Sequence, residues 1–120
     1  MAVALVGMLV SGGAMAADPK LDGNELLGQC KSYIKLVDGE RTADVFEGGI
    51  CGGFVQGVLA TTFFYSDELR KDEIFCVPTT VTYAQLVRVV VKYLQDNPKD
   101  LNKGRMTLVW QALMDAYPCK

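Results

Sequence analysis

The residues best able to do chemistry in this chain are its four cysteines, Cys30, Cys51, Cys76 and Cys119. All of them follow an apolar leader that ends in Ala14-Met15-Ala16, a small-residue sequence of the kind that signal peptidases cleave. An even number of cysteines after a removable leader is typical of a disulfide framework, because small exported domains supplement a limited core with covalent crosslinks. The sequence therefore predicts an exported protein whose thiols are oxidised.

The leader is expected to be a signal peptide spanning residues 1–16, which leaves residues 17–120 as one mature domain. Its apolar stretch, Val3 to Val10, is too short to cross a bilayer. No Lys or Arg precedes that stretch, which departs from an ordinary export signal. The alternative is a buried N-terminal helix, which Ser11-Gly12-Gly13 would interrupt. We therefore expect no membrane insertion once the leader is removed.

Apart from the cysteines, the chain has few of the residues that catalytic sites use. The chain has no histidine, which excludes Ser-His-Asp and Cys-His nucleophiles and histidine-containing zinc sites. The cysteines lack the C-x-x-C spacing of a zinc knuckle. Carboxylates adjoin at Asp67-Glu68 and at Asp72-Glu73 and could serve acid–base catalysis, but Arg70-Lys71 between them is typical of a solvated loop. We expect a binding protein, with no catalytic residue, metal or cofactor.

The charge balance narrows the class of partner. The chain has 12 Lys and Arg against 14 Asp and Glu, a formal net charge of −2. That balance gives no reason to expect nucleic acid or an anionic membrane as partner. With 50% hydrophobic residues, the chain is globular rather than disordered.

The fold class predicted from the periodicity is all-α, a small four-helix domain with possible extra short helices. Capping-box spacings at Asp22, Asp44 and Thr82 mark three helix starts, and a fourth helix carries Trp110. Residues 35–42 are expected to form a loop, and residues 66–73 a charged connector after a helix that ends at Tyr65. Residues 87–91 could instead form a buried strand, because β-branched residues lower helix propensity.

Glycines recur at every fourth position in the second helix, at Gly49, Gly53 and Gly57, with Gly48 and Gly52 beside them. Each costs a helix about 0.8–1 kcal/mol relative to alanine, so packing must compensate. We interpret the three as helix-packing glycines that let a neighbouring helix approach closely inside one protomer. The alternative is a dimer or partner surface.

Four cysteines allow three pairings. Short loops make successive helices antiparallel neighbours, which brings the end of the first helix to the start of the second. The same reasoning brings the start of the third helix to the end of the fourth. We therefore expect Cys30 to pair with Cys51 and Cys76 with Cys119.

An ordered set of motifs resembles the Tai/Rap family of periplasmic immunity proteins, which act against type VI secretion amidase effectors. The resemblance covers residues 23–119. The motifs are Leu26-Leu27 with Cys30, the Cys-Gly-Gly-Phe-x-x-Gly run at residues 51–57, Phe75-Cys76-Val77-Pro78, Gln85-Leu86, Val89-Val90-Val91, Tyr93-Leu94, Asn97-Pro98 and the terminal Pro118-Cys119.

The resemblance implies a disulfide-stabilised, all-helical protein of the Gram-negative periplasm, often a homodimer, that binds a peptidoglycan-cleaving amidase and occludes its active-site cleft. A rival interpretation is a periplasmic acid-stress chaperone of the HdeA type, although the chain has no histidine to act as an easy proton switch. A third is a divergent periplasmic hydrolase.

An inhibitor that blocks a cleft must present something that protrudes. The best candidate is the connector with the tyrosine before it, since an aromatic side chain could anchor and charges could orient the approach. The alternatives are that this segment is only a solvated turn, or that residues 35–42 make the contact instead. The partner-binding candidates are Tyr65, Asp67, Glu68, Arg70, Lys71, Asp72 and Glu73.

Overall fold

The computed structural model describes residues 21–120, which form four α-helices and no strand. The helices are α1 (Gly23–Val37), α2 (Val45–Tyr65), α3 (Tyr83–Asp96) and α4 (Arg105–Ala116), with a 3₁₀ turn at Pro98–Asp100 between the last two. The all-helical prediction is therefore confirmed. The proposed leader at residues 1–16 lies outside the described residues.

The helix starts lie where the capping residues predict them. Asp22 and Asp44 each accept a hydrogen bond from the backbone N–H three residues later, at 3.1 and 3.0 Å. Thr82 forms a full reciprocal capping box with Gln85. Because these interactions are local, they satisfy the free N–H groups of each helix before any tertiary contact is made.

The four helices enclose one hydrophobic core. α1 packs against α2 and α3, and α3 packs against α4. The strand alternative for residues 87–91 is wrong, because the buried positions of this segment recur at helical spacing and its capping box is in place. Burial of each aliphatic side chain contributes roughly 1.5–3 kcal/mol. The large, fully buried aliphatic side chains are Leu26, Val55, Leu86, Val87, Val90, Leu94, Leu108, Val109 and Leu113.

Two disulfides have the expected pairing. Cys30 is joined to Cys51, which ties α1 to α2, and Cys76 is joined to Cys119, which ties the segment before α3 to the tail after α4. The paired residues are 21 and 43 positions apart, so each bridge contributes about 3–4 kcal/mol in the chain-entropy description. No cysteine is left as a thiol, so none is free to bind a metal ion.

The close approach of α1 to α2 depends on glycines other than those singled out from the sequence. A Cβ atom placed on Gly48 would lie 3.1 Å from the backbone nitrogen of Tyr33, and one on Gly52 would lie 2.8 Å from the Tyr33 ring. Both glycines are buried. These two residues, rather than the every-fourth-residue stripe, let the neighbouring helix approach.

The interpretation of Gly49, Gly53 and Gly57 as packing glycines inside one protomer is therefore wrong. A Cβ atom on any of them would meet nothing within 4 Å. All three are exposed, on the side of α2 that faces away from α1. The three glycines do form a smooth stripe along α2, but the stripe faces outward.

The loop predicted over residues 35–42 begins later, because α1 continues to Val37. The chain turns away from the helix at Gly39, whose φ of +80° lies in the left-handed region that glycine adopts without strain. The N–H of Gly39 donates to the carbonyl of Leu36 at 3.1 Å, and the N–H of Glu40 donates to that of Lys35 at 2.9 Å. This is the Schellman arrangement, which satisfies the last helical carbonyls.

Candidate functional site

The candidate site is built on the connector, residues 66–73, which follows α2 directly. Its first turn is held by two backbone N–H groups, those of Glu68 and Leu69, which both donate to the carbonyl of Tyr65 at 3.0 Å. Ser66 also donates its hydroxyl to the carbonyl of Phe63 at 3.1 Å. The connector therefore leaves the helix as an ordered turn.

Arg70 organises the second half of the connector. Its guanidinium pairs with Asp72 at 3.1 Å and with Glu73 at 3.2 Å, and its backbone N–H donates to the same Glu73 carboxylate at 2.9 Å. The side chains of Arg70 and Asp72 are each 74% exposed, so these ion pairs shape the turn more than they stabilise the fold. Two of the carboxylates considered for acid–base chemistry are thus held by a neighbouring cation.

Asp67 and Glu68 differ from that network. Both are exposed, and within residues 21–120 neither makes an ion pair. Lys71 donates to the backbone carbonyl of Lys120 at 3.0 Å, which ties the connector to the C-terminal tail. The connector therefore presents two unpaired negative charges on a backbone that its other charged residues hold in place.

The far end of the connector is anchored to the core. The indole N–H of Trp110 donates to the carbonyl of Glu73 at 2.9 Å, and the Trp110 ring meets that of Phe75 edge to face, with centroids 5.0 Å apart. Phe75 is buried, and Cys76 donates its N–H to the carbonyl of Tyr117 at 2.8 Å beside the second disulfide. Both ends of the protruding segment are therefore fixed.

Exposed aromatic rings flank the connector on the helix side. Phe63, Phe64 and Tyr65 are 76%, 80% and 41% exposed, and the last two rings meet edge to face at 5.1 Å. Three consecutive aromatic residues cover most of the circumference of a helix, so at least one had to face outward. The sequence carried this information for Phe63 and Phe64, and our prediction did not use it.

A pocket of about 390 Å³ opens between the end of α2, the connector and the C-terminal tail. Its wall is mainly apolar, with the two lysines of the tail contact at its rim. The sequence could not show this pocket, since its wall comes from segments far apart in the chain. The lining residues are Leu59, Thr62, Phe63, Ser66, Leu69, Lys71, Ile74, Phe75, Cys76, Val77, Cys119 and Lys120.

The second candidate loop lies at the opposite end of α2. The connector follows the last residue of this 21-residue helix, whereas the loop after α1 precedes the first. At a rise of 1.5 Å per residue the two are about 30 Å apart. Asp38 pairs with Arg88 of α3 at 2.6 Å, which fastens the start of that loop. The two loops therefore cannot form one site within a protomer.

Comparison with known proteins assigns the chain to a family. A family model for Rap1a immunity proteins matches residues 22–119, almost the whole described part of the chain. The chain belongs to this family. The comparison with curated proteins finds no match, and neither does the comparison with solved structures. The family assignment confirms the resemblance found in the sequence motifs.

Membership in the Rap1a immunity family implies a toxin-binding protein that inhibits without catalysis. Two disulfides fit an exported member of the family. Among residues 21–120, no helix combines the length and hydropathy that a membrane crossing requires. In the same range no three acidic or sulfur side chains come together as a metal site would need.

Proposed function

We propose that this protein works in the periplasm, where it binds a peptidoglycan amidase delivered by type VI secretion and occludes its active-site cleft. Family membership supplies the general role of toxin binding. The amidase comes from the resemblance of the ordered motifs to the Tai/Rap group. We also infer from that resemblance that the protein is a homodimer.

The single observation that carries occlusion is the connector, an exposed turn with both ends fixed. A segment that is already ordered loses little conformational entropy when it enters a cleft. Tyr65 supplies an aromatic group at its base, and Asp67 and Glu68 supply charge that no residue of the described chain neutralises. These are features of an energetically important contact, since aromatic anchors dominate interfaces and charges steer association.

The adjacent pocket adds a concave surface to the contact that the protruding connector makes. Its apolar wall can accept an aliphatic or aromatic side chain from the toxin while the connector enters the cleft. The ammonium group of Lys71, which lines the pocket beside the tail, suits a neighbouring carboxylate. The toxin would then contact the connector on one side of Ser66 and Leu69 and the pocket on the other side.

The proposed compartment follows from the chemistry of both partners. Disulfides persist in oxidising compartments such as the periplasm. The substrate of a peptidoglycan amidase lies there as well, so the inhibitor must meet the enzyme in the same place. We propose that residues 1–16 direct export and that residues 17–120 form the mature protein.

The contact surface is tested by combining Tyr65→Ala with Asp67→Lys and Glu68→Lys. The toxin for the test is the small papain-like Cys/His amidase that we expect to be encoded beside this gene. We expect binding to weaken by more than about 2 kcal/mol, the scale of an interface hot spot, because the variant loses its anchor and reverses its free charges. Isothermal titration calorimetry measures the change.

Glu40→Lys is the matched control, since Glu40 is exposed in the loop at the other end of α2 and makes no ion pair within residues 21–120. We expect it to leave the affinity unchanged, and both variants to melt near the wild-type temperature. Loss of affinity in Glu40→Lys with full affinity in the connector variant would move the contact to the loop after α1.

A further inference from the structure

The outward side of α2 is apolar, and no segment of residues 21–120 covers it. Val45, Phe46, Phe63 and Phe64 are 72%, 74%, 76% and 80% exposed. Glu47 is the sole charged residue among the 21 of this helix, whereas a helix on the surface of a monomer normally carries charged side chains on its outer side. The face is therefore ill suited to contact with water.

Six residues follow one line along this side of the helix, and we call them the glycine face: Phe46, Gly49, Gly53, Gly57, Ala60 and Phe64. Their spacings of three and four residues keep them on one side of an α-helix. All are exposed. An added Cβ atom on any of the glycines in the middle meets nothing within 4 Å, so no packing by residues 21–120 compensates for their low helix propensity.

Four of the six residues of the glycine face are placed symmetrically about Val55, whereas Gly49 and Ala60 are not. Reversal of the helix exchanges Phe46 with Phe64 and Gly53 with Gly57. A two-fold axis requires this kind of self-complementarity, in which one residue meets a second and the second meets the first. An aromatic ring then lies at each end of the contact, and small residues in the middle let the two backbones approach.

We propose that two copies of this chain associate through their glycine faces as an antiparallel pair of α2 helices. This inference rests on the homodimer included in the proposed function and assigns its surface. Phe46 of each copy packs beside Phe64 of the other, and Gly53 crosses Gly57. Side-chain-free backbone at the crossing gives dispersion contacts that longer side chains would prevent.

Charge complementarity favours the antiparallel arrangement over a parallel one. The antiparallel register brings the segment of Arg41 alongside the connector of the other copy, where Asp67 and Glu68 lie. In residues 21–120 none of the three has an ion-pair partner in its own chain. In a parallel register, Asp67 and Glu68 of one copy would instead lie against the same two residues of the other copy, and these like charges would repel. The two helix dipoles would also point in the same direction, which is unfavourable.

The available area is consistent with a stable dimer. The three exposed phenylalanines offer on the order of 450 Å² per copy, since an aromatic side chain buries roughly 150–250 Å² when it is fully covered. Val45 and the glycine backbones extend the contact along α2. Two copies then bury roughly 1,200 Å², the lower end of the range for specific protein interfaces.

The test compares Gly53→Leu with Gly28→Leu by sedimentation equilibrium. Both glycines lie within helices, and an added Cβ atom at either meets nothing within 4 Å in residues 21–120, so a larger side chain has room to begin at both positions. We expect wild type and Gly28→Leu to be dimers with the same dissociation constant. Gly53→Leu should raise that constant at least about tenfold, because its side chain occupies the helix crossing. Phe46→Ser, at the end of the face, should weaken the dimer as well.

The possible outcomes separate the surface from the function. Circular dichroism should show native helicity in every variant, and amidase inhibition is measured on the same samples. A monomeric wild type that still inhibits the amidase would overturn the dimer and leave toxin binding standing. A dimer that both Gly53→Leu and Phe46→Ser leave intact would place the interface elsewhere. A monomeric wild type whose amidase affinity falls in Gly53→Leu would assign the glycine face to the toxin.

Discussion

At the scale of single residues, adjacent glycines of α2 have opposite surroundings. Gly48 is buried against α1, where an added Cβ atom would lie 3.1 Å from the backbone of Tyr33. Gly49 is exposed, and an added Cβ atom there meets nothing within 4 Å. One methyl group should therefore have effects of opposite sign at the two positions.

We expect Gly49→Ala to raise the melting temperature and Gly48→Ala to lower it. Alanine gains about 0.8–1 kcal/mol of helix propensity at both sites, and Gly49 has space for it. At Gly48 the same methyl group overpacks the contact with α1, which costs roughly 1–3 kcal/mol. Thermal melts of dilute protein, in which dimer dissociation plays no part, measure both changes. Equal stabilisation by the two substitutions would show that α1 does not approach α2 as closely as described.

The sequence could not distinguish these glycines, and the reason is physical. Five glycines within three turns leave several sides of the helix smooth, so periodicity alone does not say which side a neighbour covers. That depends on α1, whose Tyr33 lies over Gly48 and Gly52. The period was predictable, whereas the covered side is a tertiary property.

At the scale of elements, predictions succeeded where the determining interactions are local. The capping residues Asp22, Asp44 and Thr82 each bind a backbone N–H three residues away, so the sequence itself contains both partners. The polar character of Lys35 predicts an end of α1 that is earlier than the observed one at Val37. Lys35 belongs to the last helical turn, where a cation interacts favourably with the helix dipole.

The cap of α1 predicts an acid-dependent stability. The hydrogen bond from the Glu25 N–H to Asp22 lowers the pKa of that carboxyl, opposed by partial desolvation and assisted by Asn24 and the charge of Arg105. A carboxyl with a lowered folded-state pKa contributes stability above its unfolded pKa of about 3.8, and that contribution is lost as the pH falls through the folded value.

Asp22→Asn isolates this effect, since asparagine also caps helices but carries no charge. We expect wild type to melt above the variant at neutral pH and the two melting temperatures to converge as the pH falls below about 3.8. Melts across the acid range test this. A gap that stays constant with pH would mean that the charge of Asp22 does not act on the folded state.

At the scale of the whole molecule, topology was predictable and surface shape was not. Antiparallel packing of successive helices predicts both disulfides, although Cys30 lies at the middle of α1 rather than at its end. The pocket beside the connector combines α2, the connector, the segment before α3 and the C-terminal tail. Its existence depends on how those segments meet, which residue patterns within one element do not report.

In the whole molecule, α2 carries two proposed contact surfaces. The connector at the end of α2 is the proposed toxin contact, and the glycine face along its length is the proposed contact between copies. The first is charged, with a network around Arg70, and the second lacks charge. The two contacts meet at the end of α2, because Phe63 also lines the pocket and Asp67 and Glu68 also lie beside the second copy, so toxin binding and self-association are coupled there.

The most direct test of the central claim is an inhibition assay with purified peptidoglycan and the amidase proposed as the toxin. Hydrolysis is followed while the mature protein is added in increasing amounts, with the Tyr65→Ala, Asp67→Lys, Glu68→Lys variant in parallel. Occlusion of the cleft predicts that hydrolysis stops when one protomer is present per amidase, and that the variant requires a large excess. Full hydrolysis in the presence of excess wild-type protein would contradict the account.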